Sequence, residues 1–218
     1  MSDDCNSFII NNGNFKRDFE GLYRTIEDPW DQNINYNTLS KEFLYFQFLL
    51  EDYLVKKKIN FHVLDIGCAN GYHLNSFMKI NGFKRYYGTD ISSTIINNAI
   101  EKNKYLVDKG VANFLCDNII QYNNKLSSKF DIIFSGKTLY YCAPEIDLVI
   151  QNISDYLKPS GVFGWIYNQT DDAFSNQWLT YDLLMTKLRH KGFELIGSLL
   201  LNYGQKKEQV CIALYIKN

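Results

Sequence analysis

The sequence predicts an α/β fold: a seven-stranded, mostly parallel sheet with an antiparallel last strand, helices on both faces and an N-terminal helical cover. Three observations predict it. From residue 60 onward, short apolar runs alternate with stretches of helical period, the pattern of parallel strands joined by crossover helices. The last two strand-like runs are separated only by Asn202-Tyr203-Gly204-Gln205. That turn is too short for a crossover, so the final strand enters antiparallel. The length, 218 residues, suits one full domain with a short appendage.

The elements follow in order. Residues 1–18 are polar and read as irregular. FEGLYRTIEDPW (19–30) reads as a short helix stopped before Pro29, because the residue preceding proline disfavours the α region. In 39–57, Phe43, Phe46, Leu50 and Leu54 recur at helical spacing behind a possible Ser40 cap, so this is an amphipathic helix that packs on the sheet. FHVLDI (61–66) is the first buried strand, YHLNSFMKI (72–80) a helix, and RYYGTDI (85–91) the second strand. Residues 92–110 form a helix stopped by Gly110, and ANFLCD (112–117) and KFDIIFSG (129–136) are strands. EIDLVIQNISDYL (145–157) is a helix ended at Lys158-Pro159, and GVFGWIYN (161–168) is the fifth strand. Residues 176–192 form a helix ended by Gly192, before strands at 193–201 and 209–218. No internal repeat and no Gly/Ser/Pro-rich linker appears. Residues 1–58 are therefore a cover on the domain 59–218, the two read as one structural unit.

Composition excludes several classes. With 23 Lys+Arg against 24 Asp+Glu, the chain lacks the basic face that phosphate backbones require, so no nucleic-acid partner is expected. Cys5, Cys68, Cys116, Cys142 and Cys211 are widely spaced with no C-x-x-C pair, which argues against a disulfide framework or a zinc site. No signal peptide and no apolar run of about 18 residues is visible, so a cytoplasmic protein without membrane contact is expected. It is expected as a monomer or homodimer. Asn, Ile, Lys and Tyr are abundant while Arg occurs only four times, so each Arg is more informative than each Lys or Tyr.

In an open α/β sheet, ligands bind beyond the carboxyl ends of the strands. The first strand runs Val63-Leu64-Asp65-Ile66-Gly67-Cys68-Ala69-Asn70-Gly71. Glycine at this strand-to-helix turn tolerates positive φ and close approach of a ligand. The turn is not G-x-G-x-x-G, which disfavours a pyrophosphate cradle and an NAD enzyme. Asp90 ends the second strand, 23 residues after Gly67, where an acid accepts hydrogen bonds from a ribose diol. Asp117-Asn118 ends the third and suits an adenine edge; Ser135-Gly136 ends the fourth. Asp90 alone also suits a helix N-cap. The series of four does not reduce to capping.

These stretches, V-L-D-I-G-C-A-N-G, Y-G-T-D-I, F-L-C-D-N, F-D-I-I-F-S and L-K-P-S-G-V-F, closely resemble the consecutive motifs of class I S-adenosylmethionine-dependent methyltransferases. The resemblance spans residues 60–170 and implies a Rossmann-like sheet, an S-adenosylmethionine cofactor and S-adenosylhomocysteine as product. It implies that the Gly67–Gly71 turn, with Cys68, lies against the methionine moiety. Asp65 would fix the turn and the cofactor amino group, and Asp90 the ribose. Ile91 would pack on the adenine, Asp117 and Asn118 would read its amino edge, and Ser135 would complete the cofactor wall. Asp28-Pro29-Trp30 and Leu139-Tyr140-Tyr141 look like the small-molecule branch that contains nodulation N-methyltransferases and sugar-tailoring enzymes. Lys137 departs from that branch, where an acid often precedes Leu-Tyr-Tyr. The implied reaction is methyl transfer to an O or N atom of a small molecule, such as a sugar or nucleotide-sugar of polysaccharide biosynthesis. RNA or protein methylation and a silent cofactor-binding module are the alternatives. Ser135-Gly136-Lys137-Thr138 lacks the aromatic tetrad of base-methylating relatives.

No metal is needed for such a transfer. The candidate catalytic residues are His73, as base or as cofactor packing, with Tyr140 and Asp171. Trp30, Lys137, Tyr141 and Asn168 are candidates to bind the acceptor. Tyr23 and the scarce Arg24 lie in the cover, with Arg24 a partner for the methionine carboxylate. Residues 19–36, with Tyr36, are expected to close as a lid; a permanently docked segment is the alternative. His62 reads as structural and His190 as an exposed helix-end cation.

Overall fold

The computed structural model describes residues 3–11, 13–30, 41–57, 60–169, 179–203 and 208–218. At the N-terminus, α1 (Asp3–Ile9) leads into a small hairpin of β1 (Ile10–Asn11) and β2 (Asn14–Phe15), followed by α2 (Phe19–Thr25). The expectation of an irregular start is thereby corrected. Cys5 and Ile9, one helical turn apart, bury against Leu22 of α2, and that spacing was hidden in a polar composition. Then come α3 (Lys41–Lys57), β3 (Phe61–Ile66), α4 (Leu74–Phe77), β4 (Phe83–Asp90), α5 (Ser93–Lys102), α6 (Lys104–Asp108) and β5 (Ala112–Cys116). The chain continues with β6 (Phe130–Gly136), a 3₁₀ segment (Leu139–Glu145), α7 (Ile146–Tyr156), β7 (Leu157–Gln169), α8 (Tyr181–His190), β8 (Phe193–Tyr203) and β9 (Glu208–Lys217). The Ser40 cap lies outside the described residues.

The large sheet has the order β5-β4-β3-β6-β7-β9-β8. Its pairs are parallel except those made by β9, which runs antiparallel to both β7 and β8. Strand parity divides the core. Leu64, Ile66, Ile133, Trp165 and Tyr167 pack with α7 and α8 on one face. Val63, Tyr86, Ile132, Phe134 and Ile166 pack with Phe43, Phe46 and Leu50 of α3 on the other. Gly164 makes room for that helix: a Cβ there would stand 2.2 Å from the Phe46 ring.

The helix expected over 19–30 ends early, at Thr25, where Ile26 is extended, and two other helices differ more. Residues 92–110 break at Asn103, whose side-chain amide donates to the carbonyls of Ala99 (2.8 Å) and Asn70 (3.3 Å). This buried amide ties the glycine turn to α5. Residues 72–80 are reduced to one helical turn, Leu74–Phe77, flanked by turns. No helix among the described residues is long and apolar enough to cross a membrane.

Candidate active site

A cavity of about 460 Å³ opens at the carboxyl ends of β3, β4, β6 and β7, the place this topology reserves for ligands. Its floor is the turn after β3. Gly67 holds φ +70 there, and a Cβ would stand 2.3 Å from Thr138 Oγ1, so only glycine fits. The Gly67 and Cys68 amides donate to the Thr89 carbonyl at 2.8 and 2.9 Å, locking the turn to the end of β4.

Asp90 sits in the cavity wall at that end. It is buried and accepts from the amides of Ala69 (3.2 Å) and Ser92 (3.2 Å). Burial outweighs those donors and pushes its carboxyl up to about 6. Ile91 beside it is 44% exposed and lines the cavity, an apolar face open to a flat ligand. Asp117 and Asn118 continue the wall beyond β5. Asp117 Oδ1 accepts from the Asn123 side-chain NH₂ at 2.9 Å, and Asn118 Oδ1 accepts from the Ile120 backbone N–H at 3.1 Å. The Asn118 side-chain NH₂ is not used in that bond and is a donor for a ring nitrogen. Ile119 and Ile120 also line this end, two contacts the sequence reading missed.

At the β6–β7 end stand Lys137, Tyr140, Tyr141 and Asn168. Burial raises the hydroxyls of Tyr140 and Tyr141 above the usual phenol range, which disfavours the phenolate form. His73 also lines the cavity. Its Nδ1 is 3.1 Å from Asp65 Oδ2, and its ring stacks on Phe43 with centroids 5.0 Å apart. The cover supplies the roof through Tyr23 and Trp30, with Trp30 Nε1 donating to the Tyr23 hydroxyl at 2.7 Å.

Five expected contacts do not reach the cavity. Arg24 is 69% exposed and pairs with Glu20 at 2.9 Å; with Tyr23 turned inward, the next helical position points about 100° away. Arg17 is the arginine in the cavity wall. Asp65 follows strand parity onto the α3 face, where it accepts from the Tyr86 hydroxyl (2.7 Å) and meets His73. Cys68 is buried beneath the turn against Gly88, and burial raises its thiol well above the usual range, leaving it inert. Gly71 (φ +80) lies behind the turn against Phe114. Ser135 is fully buried in β6. Asp171 and Tyr36 lie outside the described residues.

Residues 57–197 match the family described as "Methyltransferase domain". The chain belongs to that family. The crystal structure of N-methyltransferase NodS from Bradyrhizobium japonicum WM9, in complex with S-adenosylhomocysteine, is similar to this methyltransferase at TM-score 0.68 and 20% identity, covering 91% of this chain and 97% of that one. A putative sarcosine dimethylglycine methyltransferase from Galdieria sulphuraria aligns at TM-score 0.67 and 13% identity, over 81% and 86% of the two chains. A putative S-adenosylmethionine-dependent methyltransferase from Listeria monocytogenes aligns at TM-score 0.62 and 15% identity, over 80% and 99%. At these identities the likenesses establish the fold. No curated protein matches the chain.

S-adenosylmethionine is the cofactor of this methyltransferase domain, and the cavity fits it. The glycine turn, the buried Asp90, the apolar Ile91 and the Asp117-Asn118 pair form a continuous wall, matching in turn an aliphatic chain, a diol and a flat amino-substituted ring. Bound there, the cofactor supplies an electrophilic methyl group and a neutral thioether leaving group.

Glu20 holds the roof, and sequence reasoning did not find it. It accepts from Ser92 Oγ (2.7 Å), Thr94 Oγ1 (2.6 Å) and the Thr94 amide (3.3 Å) at the start of α5. Those donors lower its carboxyl to about 2. A depressed carboxylate contributes stability above its unfolded value near 4.5 and loses it as pH falls toward about 2, so the roof is anchored at neutral pH. Glu20→Gln removes an anion from a helix N-terminus, costing about 1 kcal/mol of docking. Amide exchange of Leu22 and Tyr23 then speeds about fivefold without ligand and slows again with saturating S-adenosylhomocysteine. Hydrogen-exchange mass spectrometry of residues 19–30 measures both.

Proposed function

We propose that this enzyme methylates an O or N atom of a small molecule, with sugars and nucleotide-sugars as the acceptor class. The observation that carries the reading is the roof. Tyr23 and Trp30 line the cavity from the cover, and its volume of about 460 Å³ is on the scale of small-ligand sites. A macromolecular acceptor needs an open face at that position. Excluding water around the reacting atoms strengthens each electrostatic contact made there.

Within that reading, Asp65 fixes the proton on His73 Nδ1, which leaves Nε2 as the acceptor of a proton from the attacking group. Tyr140, Tyr141 and Asn168 orient the acceptor by hydrogen bonds. The lid expectation is retained in a narrower form: residues 19–30 release and re-dock, with Glu20 as the latch.

Labelled S-adenosylmethionine tests the proposal against amino sugars, neutral sugars, nucleotide-sugars, RNA and bulk protein. Label is expected in a small-molecule product. Label only in RNA or protein overturns the proposal.

A further inference from the structure

The cavity wall is electrically polarised. Among the described lining residues, the acids are Asp90 and Asp117, at the ends of β4 and β5. The Lys and Arg side chains are Lys137, just past β6, and Arg17, in the cover. With β3 between β4 and β6, the two groups are separated by two to three strand spacings, about 10–15 Å. Acid groups suit the diol and amino edge of an adenosyl ligand. Cations at the opposite end suit an anion.

Arg17 is held for such a task. Its guanidinium lies over the Phe15 ring (4.8 Å to the centroid), and Nη2 donates to Glu145 Oε2 at 2.7 Å. Glu145 ends the 3₁₀ segment that carries Tyr140 and Tyr141, so Arg17 stands on the acceptor side. Its buried Nε has no hydrogen-bond partner. A guanidinium offers five N–H donors in a rigid fork, and the Glu145 bond uses one. Arg17 and Lys137 also share a backbone feature: both are non-glycine residues at positive φ, +55 and +58. Such conformations persist where surrounding structure imposes them, and they concentrate at functional sites. Here the Arg17 amide is held by the Ile9 carbonyl (3.2 Å) and the Lys137 amide by the Ile166 carbonyl (2.8 Å). Lys137 Nζ lies 3.6 Å from Glu42, a looser pair than that of Arg17.

We propose that Arg17, seconded by Lys137, forms an oxyanion subsite that selects acceptors bearing a phosphate or carboxylate group. The inference rests on the small-molecule methyl-transfer reading and deepens it. The planar fork binds two oxygens of the anion side by side. The nucleophilic atom of the acceptor is thereby held at a fixed distance from the Arg17 end of the cavity.

The test uses the full chain saturated with S-adenosylhomocysteine and labelled with ¹⁵N-tryptophan, so that the Trp30 indole N–H reports from the cavity. Inorganic phosphate and acetate are titrated in turn, with sodium chloride at equal ionic strength as control. The expected result is a saturable shift with phosphate or acetate and none with chloride; the probe that saturates first identifies the oxyanion. Arg17→Gln weakens that binding at least about tenfold, as loss of a charge-assisted pair does. It leaves S-adenosylhomocysteine affinity within about threefold. Arg17→Lys, which keeps the charge, recovers part of the loss. A tenfold loss of S-adenosylhomocysteine affinity in Arg17→Gln overturns the proposal, because Arg17 then serves the cofactor carboxylate. Absence of any saturable shift in the wild type also overturns it, and that titration decides the matter even if Arg17→Gln fails to fold. Failure of the methyl-transfer reading is distinguishable, since the wild type then fails to bind S-adenosylhomocysteine at all.

Discussion

Asp90→Ala is expected to weaken S-adenosylhomocysteine binding by about 100-fold or more, since two hydrogen bonds to a charged acceptor contribute about 1.5–3 kcal/mol each. The carboxylate is buried at the cavity wall and already organised by the Ala69 and Ser92 amides. A ligand diol therefore meets an acceptor that needs no rearrangement. Alanine also strips those two amides of their partner, so some stability is lost. Asp90→Asn keeps one acceptor oxygen and separates the two effects. The pH dependence gives a second check. Burial pushes Asp90 up to about 6 without ligand, and a diol binds best to the ionised form. Affinity is therefore full above about pH 7 and falls as pH drops through about 6. The sign for stability is opposite. A folded value above the ordinary 3.8 means that the ligand-free fold binds the proton more tightly than the unfolded chain does. Relative to Asp90→Asn, the empty protein gains stability as pH falls from about 6 toward about 4. Calorimetric titration across pH 5–8 measures the first effect and thermal unfolding the second. Equal affinity of wild type and Asp90→Asn across that range would remove Asp90 from the cofactor site.

What was legible in the sequence depended on how local the determining physics is. Gly67, Asp90, Asp117 and Asn118 line the cavity because a parallel strand must end somewhere, and its next residues face the crevice whatever the rest of the chain does. Asp65, in β3, and Ser135, in β6, are buried in the core and do not line the cavity. Leu64 and Ile66 occupy one core and Val63 the other, so Asp65 belongs to the Val63 face, under α3. Parity alone would have shown it. Arg24 lies away from the cavity and Arg17 lines it for a different reason. The phase of α2, with Tyr23 buried, was readable from a single helical turn. The pairing of Arg17 with Glu145 spans 128 residues and depends on a hairpin that the polar composition concealed. Glu20 is similar, because its partners Ser92 and Thr94 lie over 70 residues away. Strand-end chemistry is written locally; the roof and the acceptor end are assembled from contacts that no periodicity records.

Replacing His73 is the substitution expected to cut turnover most while sparing the cofactor. Nδ1 lies 3.1 Å from Asp65 Oδ2, Phe43 stacks on the ring, and the Cε1 edge abuts Gly136. The imidazole is therefore fixed in rotamer and tautomer, with Nε2 left to accept a proton. General-base contributions run to about 10²–10⁴-fold, so His73→Gln, which keeps most of the volume, lowers kcat by about 100-fold or more. S-adenosylhomocysteine affinity stays within about threefold, because the residues expected to hold the adenosine, Asp90, Asp117 and Asn118, line the β4–β5 end. Asp65→Asn tests the positioning role separately. An amide can present N–H to Nδ1 and force the proton onto Nε2, so kcat falls while the ring remains in place. The loss is in kcat rather than KM. A hydroxyl acceptor needs this base in the transition state, whereas an amine that enters already deprotonated does not. Retention of full kcat in His73→Gln above pH 8 would therefore assign the acceptor atom to nitrogen and remove His73 from the chemistry. A 100-fold loss that persists to pH 9 assigns it to oxygen.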